Sequence, residues 1–361
     1  MAVRMKDVAL RAGVSTRTVS NVVSGYAHVS PGTRAKVQRA LDEMGYALNT
    51  AARSLKSGRT GMVALVLPHL HSSYFAELAD AVVRAADRRG VTVLIEVTGG
   101  TLDREMQVLT SGLAHLSDGV LFSPLSLTPR PELMPRSGFP LVLLGESGLD
   151  AAFDHVGIDN VAASRVAVEH LLAGGRRRIV ALGLDDNRPA SPLRHQGYLL
   201  AHRNYGQPPM PGIRVTGWER QAGADAVEKL LRCHDADRVA PDALFAFNDT
   251  LALGALRALL HHGVRVPQDV AVVSIDDINE AAFATPSLTS IAPDLDTLAE
   301  QALGLLESRI ADNGRPTCQL WTPFDLAVRE SSGPVRSSLQ AGTRDALDDA
   351  ALEEKEQNHQ G

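Results

Sequence analysis

Near the N-terminus of this chain, Thr16, Arg17, Ser20 and Asn21 have types and spacings that suit recognition. Thr16 and Ser20 are one helical turn apart, as are Arg17 and Asn21, so all four would share one helix face. A guanidinium can fork to guanine O6 and N7, and a carboxamide to adenine N6 and N7, which equips such a face to read base edges. The same face would also serve a three-helix interaction module whose polar side is merely solvated. A second set follows short apolar runs later in the chain. It comprises His69 to Phe75, Asp159 and Asn160, Arg194 in SPLRHQGY, Asn248 and Asp249 in FNDT, and Asp276 and Asp277 in SIDD. Ligands of open α/β sheets sit beyond the carboxyl ends of the strands, where these groups would stand. Asp249 and Asp277 also suit helix capping, Asp159 suits pinning a turn, and Tyr74 and Phe75 suit core packing at a helix start. Catalytic signatures are missing: no GxGxxG follows the first run, GxxxxGK[ST] and GxSxG do not occur, and no carboxylate pair is singled out for acid/base work.

The elements that must position the first set can be read locally. Lys6 to Ala12 suits a short helix, Gly13 supplies the left-handed residue for a sharp turn, and Val14 plugs it. Ser15 caps a second helix whose Val19, Val22 and Val23 share the opposite face. Ser30 and Pro31 open a third helix, which buries Val37, Ala40, Leu41 and Met44 before Gly45 stops it. Helix, glycine turn and helix form the helix-turn-helix pattern, in which the second helix enters the major groove. The formal charge of -6 hides a division. Residues 1–60 carry ten Lys/Arg and three Asp/Glu, a net of +7, and the other 301 residues carry a net of -13. The basic excess thus sits where phosphates would be met.

From Gly61 onward, β-branched runs alternate with longer amphipathic stretches. Strands are expected at Met62–Leu67, Val91–Val97, Gly119–Phe122, Leu141–Leu144, Arg178–Leu182, Ala243–Phe247 and Val270–Ile275. Helices are expected at Tyr74–Arg89, Val161–Gly174, Gly223–Cys233 and Thr250–Gly263. This alternation indicates βαβ units, and two parallel sheets fit it better than one. Cys233 and Cys318 stand far apart and read as buried or half-buried free thiols. No apolar run approaches the roughly 18 residues of a membrane span, and the first residues lack the apolar core of an export signal, so the expected location is the cytoplasm. Residues 331–361 read as an acidic, disordered tail. Leu339, Leu347 and Leu352 lack heptad spacing, which favours a dimer over a tetramer.

The run MKDVALRAGVSTRTVSNVVSGYAHVSPGTRAKVQRALDEMGYALNTAARSLKSGRTG resembles the N-terminal signature of the LacI/GalR family of bacterial transcription regulators. The DVAxxAGVSxxTVS, VSxxTRxKV and GYxxNxxARSLxxGxT segments appear in order and without gaps. The resemblance implies a helix-turn-helix domain over residues 1–48 and a hinge helix and linker over 49–60. It implies base contacts from Thr16, Arg17 and Asn21, and phosphate contacts from Ser15, Thr18, Ser20, His28, Ser30 and Thr33. A cap or a solvated loop position serves His28 almost as well. Many members carry Arg where this chain has Asn21, which implies different bases read there. In the hinge, Asn49 to Ser57, Leu55 matches a leucine that wedges into the minor groove and kinks the duplex.

VGIDNVAASRVAVEHLLAGGRRRI, ALFAFNDTLALGALRALLHHGVRVPQDVAVVSIDDI and SLTSIAPDLDTLAEQAL resemble the core of the same family. They imply an α/β, periplasmic-binding-protein-like core of two Rossmann-like subdomains over 61–330. One subdomain would span about 61–160 and 290–320, the other about 161–289 and 321–330, with three crossings between them. Carried over by position, Arg194, Asn248 and Asp276 clamp an effector's hydroxyls, Trp218 packs on it, Tyr74 and Phe75 face the same cleft, and Arg188 contacts ligand in some members. Vicinal hydroxyls both donate and accept, which suits a sugar to such a clamp; purines and nucleosides also occur as effectors in the family. The function implied is a repressor without enzymatic activity, cofactor or metal. Its partners would be a palindromic operator, a second copy of itself in a homodimer that includes the Tyr74–Arg89 face, and a small effector. A sugar-binding protein without a DNA role and an α/β enzyme are the competing classes. The basic head weighs against the first, and the missing catalytic motifs weigh against the second.

Overall fold

The computed structural model describes residues 3–23, 26, 28–46, 59–110, 116–126, 139–145, 153–232 and 240–333. The chain divides into two units, Met1–Thr60 and Gly61–Gly361. In the first, α1 (Met5–Ala12), α2 (Thr16–Val23) and α3 (Pro31–Met44) bury Val8, Ala9, Val19, Val22, Val37 and Ala40 together. Gly13 has φ 65° and ends α1 with N–H bonds to the last carbonyls, a backbone that side-chain-bearing residues rarely adopt. Val14, half-buried, packs on the cluster from the turn.

The second unit contains two six-stranded sheets. The first is built from β1 (Met62–Leu67), β2 (Thr92–Val97), β3 (Val120–Phe122), β4 (Leu141–Leu144), β5 (Asp154–Gly157) and β11 (Gln319–Trp321). Its order is β11-β5-β4-β3-β1-β2, parallel throughout. The second contains β6 (Ile179–Leu184), β7 (Ile213–Arg214), β8 (Ala243–Ala246), β9 (Ala271–Ile275), β10 (Thr289–Pro293) and β12 (Phe324–Ala327). Its order is β12-β10-β9-β8-β6-β7, parallel except where β12 runs against β10. Central strands such as MVALVL and ALFA are buried on both faces, which is why they read as continuous apolar runs rather than as alternations.

The helices cover these sheets: α4 (Ser73–Arg88), α5 (Leu102–Thr110) and α11 (Leu295–Ala311) belong to the first. With the second go α6 (Asn160–Ala173), α7 (Ala190–Asn204), α8 (Arg220–Arg232), α9 (Asp249–His261) and the short α10 (Asn279–Phe283). Both sheets reverse their strand order, between β1 and β3 in one and between β6 and β8 in the other. At such switch points a crevice opens beyond the strand ends.

The chain passes between the sheets three times, after β5, after β10 and after β11. The passages lie side by side: Thr322 N–H donates to Gly157 O (2.8 Å), and Asp294 N–H to Pro323 O (3.1 Å). Close to the first, the buried carboxylate of Asp154 accepts from Arg309 Nε (2.8 Å), Arg315 (3.2 Å) and Cys318 N–H (2.8 Å).

Two expected boundaries move. Residues 290–293 were assigned to the first subdomain, but β10 pairs with β9 in the second sheet, so the crossing falls at Pro293 and Asp294. The tail was expected to begin at residue 331, yet Ser331 is buried, with its Oγ donating to Val272 O (2.6 Å). The hinge segment with Leu55, Cys233, and the chain beyond Gly333 lie outside the described residues.

Candidate functional site

In the first unit the exposed face of α2 carries Thr16 and Arg17, with Ser20 and Asn21 half-buried beside them. Local hydrogen bonds hold this face in place. Ser15 Oγ accepts from Thr18 N–H (3.0 Å) and lies 2.8 Å from Thr18 Oγ1. At the start of α3, Ser30 repeats the arrangement with Thr33: the amide donates to Ser30 Oγ (3.3 Å), and that hydroxyl donates to Thr33 Oγ1 (2.9 Å). Two of the expected phosphate-positioning residues, Ser15 and Ser30, are therefore also the caps that set where α2 and α3 begin, and two more, Thr18 and Thr33, are the residues they cap. His28 is exposed, its ring edge-on to Tyr26 at 5.4 Å.

In the second unit a cavity of about 480 Å³ lies between the two subdomains, within the usual range of small-molecule sites. Both switch points feed it. From the first subdomain come His69, His71, Tyr74, Phe75 and the Ser123–Leu125 segment after β3; from the second come Arg188, Trp218, Asn248, Thr250 and Asp276. Tyr74 and Phe75 open α4 with edge-on rings 5.3 Å apart, and Tyr74 packs against the apolar cores of both subdomains. The core-packing and cleft readings therefore hold together for Tyr74.

Asn248, not Asp249, caps α9: its Oδ1 accepts from Leu251 N–H (2.9 Å), while its Nδ2 donates to Trp218 O and Thr250 Oγ1. The capping expectation for Asp249 is thus corrected by one residue, and its carboxylate turns into the interior instead. Asp277 does not cap either, because α10 follows Ile278 and Asp277 accepts from Arg329 (2.6 Å). Asp159 is the N-cap of α6, accepting from Ala162 N–H (2.9 Å).

Arg194 sits behind the cavity wall rather than lining it. It is 3% exposed, donates Nε to Asn160 Oδ1 (2.8 Å) and NH1 to Phe247 O, and reaches Asp276 at 3.8 Å. Trp218 is also buried, with Nε1 donating to Gly183 O (2.9 Å), and the guanidinium carbons of Arg188 and Arg194 lie over its ring at 5.5 and 5.1 Å. Gly183 has φ 134°, and a Cβ there would meet Phe247 Cβ at 2.6 Å, so glycine is required at this approach. Asp276 (φ 123°) and Asp277 (φ 50°) also occupy the left-handed region. Such backbone costs on the order of 1–3 kcal/mol and is concentrated at ligand sites, where the surroundings over-determine it.

Charge in the cavity is balanced. Arg188 reaches Asp185 (3.8 Å) and Glu219 (3.6 Å). Burial, then His71 and Arg188, lower the pKa of His69 against the opposing pull of Glu219, so at neutral pH this imidazole is uncharged and both donates and accepts. Two bonds join the subdomains at the rim: Ser73 Oγ donates to Glu280 (2.6 Å), and Asn279 N–H donates to Glu77 (2.8 Å). Burial pushes Glu280 up, but the Ser73 hydroxyl and Arg220 outweigh it and hold the carboxyl below its ordinary range.

The sequence did not single out Ser123, Gly145, Glu219, Arg220, Gln221 or Thr250, which also line the cavity. Ser123 and Gly145 directly follow β3 and β4, so the strand-end rule would have found them. Glu219–Gln221 have no such signal, since they precede and open a helix without an apolar run just before them. Among the described residues no cluster of His, Cys, Asp and Glu could hold a metal ion, and no helix is long and apolar enough to cross a membrane.

Residues 4–49 match the model of bacterial regulatory proteins of the lacI family, and residues 168–332 match the periplasmic binding protein-like domain. The ribose operon repressor of Escherichia coli is 34% identical over 319 residues, which cover 87% of this chain and 94% of the repressor. A solved structure assigned to the same family, from Sanguibacter keddieii, is 39% identical, covers 76% of this chain and 100% of its own, and has a TM-score of 0.68. The complex of the transcriptional regulator CelR with cellobiose is 31% identical, covers 91% of this chain and 99% of its own, and has a TM-score of 0.67.

Proposed function

The chain belongs to the LacI family of bacterial regulatory proteins, and from that premise we propose that it is a repressor whose operator affinity is switched by a carbohydrate bound between the core subdomains. The observation that carries this reading is the cavity itself. Carboxylate, amide and neutral imidazole groups from both subdomains converge with Tyr74 and Phe75 on a charge-balanced space of about 480 Å³. A polyhydroxyl ligand that touches both walls stabilises the arrangement it bridges, and only such a difference in affinity between states can move a distant equilibrium. The names of the relatives point the same way: one is a ribose operon repressor, and another was solved with cellobiose.

In this reading Thr16, Arg17 and Asn21 read base edges, the serines that cap α2 and α3 and the threonines bonded to them also meet phosphates, and the +7 head supplies the salt-dependent part of binding. A homodimer would present two heads to a two-fold related operator in the cytoplasm. The chemistry is recognition and not turnover. Tyr74, Phe75, Arg188, Trp218, Asn248 and Asp276 form the effector wall, with Arg194 holding Asp276 from behind.

The test pairs two measurements. Arg17→Ala should weaken binding to the upstream DNA of the protein's own operon by about 1–3 kcal/mol, while thermal stabilisation by a ligand is unchanged. A screen of ribose, cellobiose, phosphosugars and purines by thermal shift identifies the effector class. Stabilisation by a purine alone would replace the carbohydrate, and loss of ligand binding together with DNA binding in Arg17→Ala would refute the division of labour.

A further inference from the structure

Asp249 stands between two cavity-lining residues, Asn248 and Thr250, yet its own carboxylate is fully buried on the side away from the cavity. It accepts from Ser274 Oγ at the end of β9 (2.5 Å), from Ser290 Oγ in β10 (2.6 Å) and from Ile278 N–H (2.9 Å). Ser290 Oγ in turn accepts from Asp277 N–H (3.0 Å), and Asp276 N–H donates to Ile291 O (3.0 Å). The three successive amides of the left-handed Asp276–Asp277 turn are therefore fixed by β10 and by Asp249, one through a serine hydroxyl and one directly.

We infer that Asp249 is a positioning residue of the effector cleft: its carboxylate sets the backbone turn that presents Asp276 to the cavity. The inference rests on the reading of that cavity as the effector site. A turn that L side chains rarely adopt needs external bonds to persist, and Asp249 supplies or organises those of Asp277 and Ile278. It also ties the turn to β10, the strand that leads into the second crossing, so the posture of Asp276 and the path between subdomains are set by one carboxylate.

The network has a second arrangement. Ser274 Oγ lies 3.5 Å from Thr289 O, and Ser290 Oγ lies 3.3 Å from Ile291 O. On protonation Asp249 can donate to one of these hydroxyls while that hydroxyl turns to its carbonyl, at the cost of one bond in the clamp. Burial pushes the Asp249 carboxyl up to about 7, the charge of Asp277 adds to the push, and the three donors oppose it. The charged groups on the adjoining turn are Asp276, reached by Arg194, and Asp277, held by Arg329; β9 and β10 contribute the two hydroxyls.

Trp218 reports on this turn through Arg194, which lies over its ring and reaches Asp276. The chain has two tryptophans, so Trp321→Phe leaves Trp218 as the sole emitter. In that background the ligand-free, full-length protein should show a Trp218 emission titration across neutral pH that is absent in Asp249→Asn, while any step from His69, at lower pH, remains. Ser290→Ala keeps the carboxylate but removes a donor to its charged form, so it should move the same titration upward; it decides the matter if Asp249→Asn does not fold. With cellobiose as probe, Asp249→Asn should lose about tenfold in affinity, and the pH dependence of binding should flatten. A Trp218 titration that persists in Asp249→Asn, or one that ignores Ser290→Ala, overturns the positioning role. Failure of the wild type to bind cellobiose or any other carbohydrate overturns the cleft reading instead, and the two failures are separable because the titration needs no ligand.

Discussion

The head and the core place recognition groups by opposite means. In the head, Ser15 and Thr18 or Ser30 and Thr33 meet across three residues, and the reading face of α2 is a run of neighbours in sequence. In the core, Ser73 meets Glu280 across 207 positions, and Arg194 meets Phe247 across 53. A face built from neighbours needs only a helix and its caps, so a small cluster such as Val8, Val19 and Val37 is enough to hold it. A cleft built from distant residues needs two sheets in register and three aligned crossings. A change on the head's surface should therefore have local structural consequences, whereas damage at one point of the core should spread to the cavity.

The sharpest way to break this contrast is Asp154→Ala. It removes the partner of Arg309, which is 7% exposed, and of Arg315 near the crossings. Leaving a buried charge unpaired costs about 3–5 kcal/mol, so the core transition in urea should fall by that amount while the head's own transition stays. A joint fall of both would show that the two units do not unfold independently. Gly183→Ala comes next, at about 1–3 kcal/mol, because the added methyl meets Phe247 at a φ of 134°. Trp218 emission should change with it, since Gly183 O accepts the indole N–H.

Ser15→Ala should cost about 1 kcal/mol, the usual value of an N-cap, confined to the melting of the head and visible by circular dichroism of a fragment or of the whole chain. The smallest effect belongs to Glu280→Gln at the rim, about 0–1 kcal/mol because the group is 43% exposed and screened by solvent. Its carboxyl is held below the ordinary glutamate range. The contribution is therefore complete above the unfolded pKa and vanishes as pH falls through the folded one. Wild type and variant should converge in acid, and a difference that grew there would contradict the assignment.

The same contrast decides what could be read without a structure. Gly13, Ser15 and Pro31 act on their immediate neighbours, so the three head helices and the face of α2 were legible residue by residue. In the core the long apolar strands were legible because burial on both faces leaves a continuous run, but DHVG, QLW and FDLA are too short and too mixed to announce β5, β11 and β12. The misplacement of 290–293 has the same cause: TSIAP did not announce β10 as a strand, so its pairing with β9 and β12 could not be read. Asp249 and Asp277 looked like caps because acidic residues favour helix starts. Only the positions of Ser274, Ser290 and Arg329, all distant in sequence, reveal that their charges are used elsewhere.

The three passages between the sheets are laced side by side by Gly157, Thr322, Pro323 and Asp294. Mechanically this is a fulcrum several chains wide. It ties the two sheets together at one level, so breaking the Ser73–Glu280 bond at the rim leaves the subdomains still joined at the crossings.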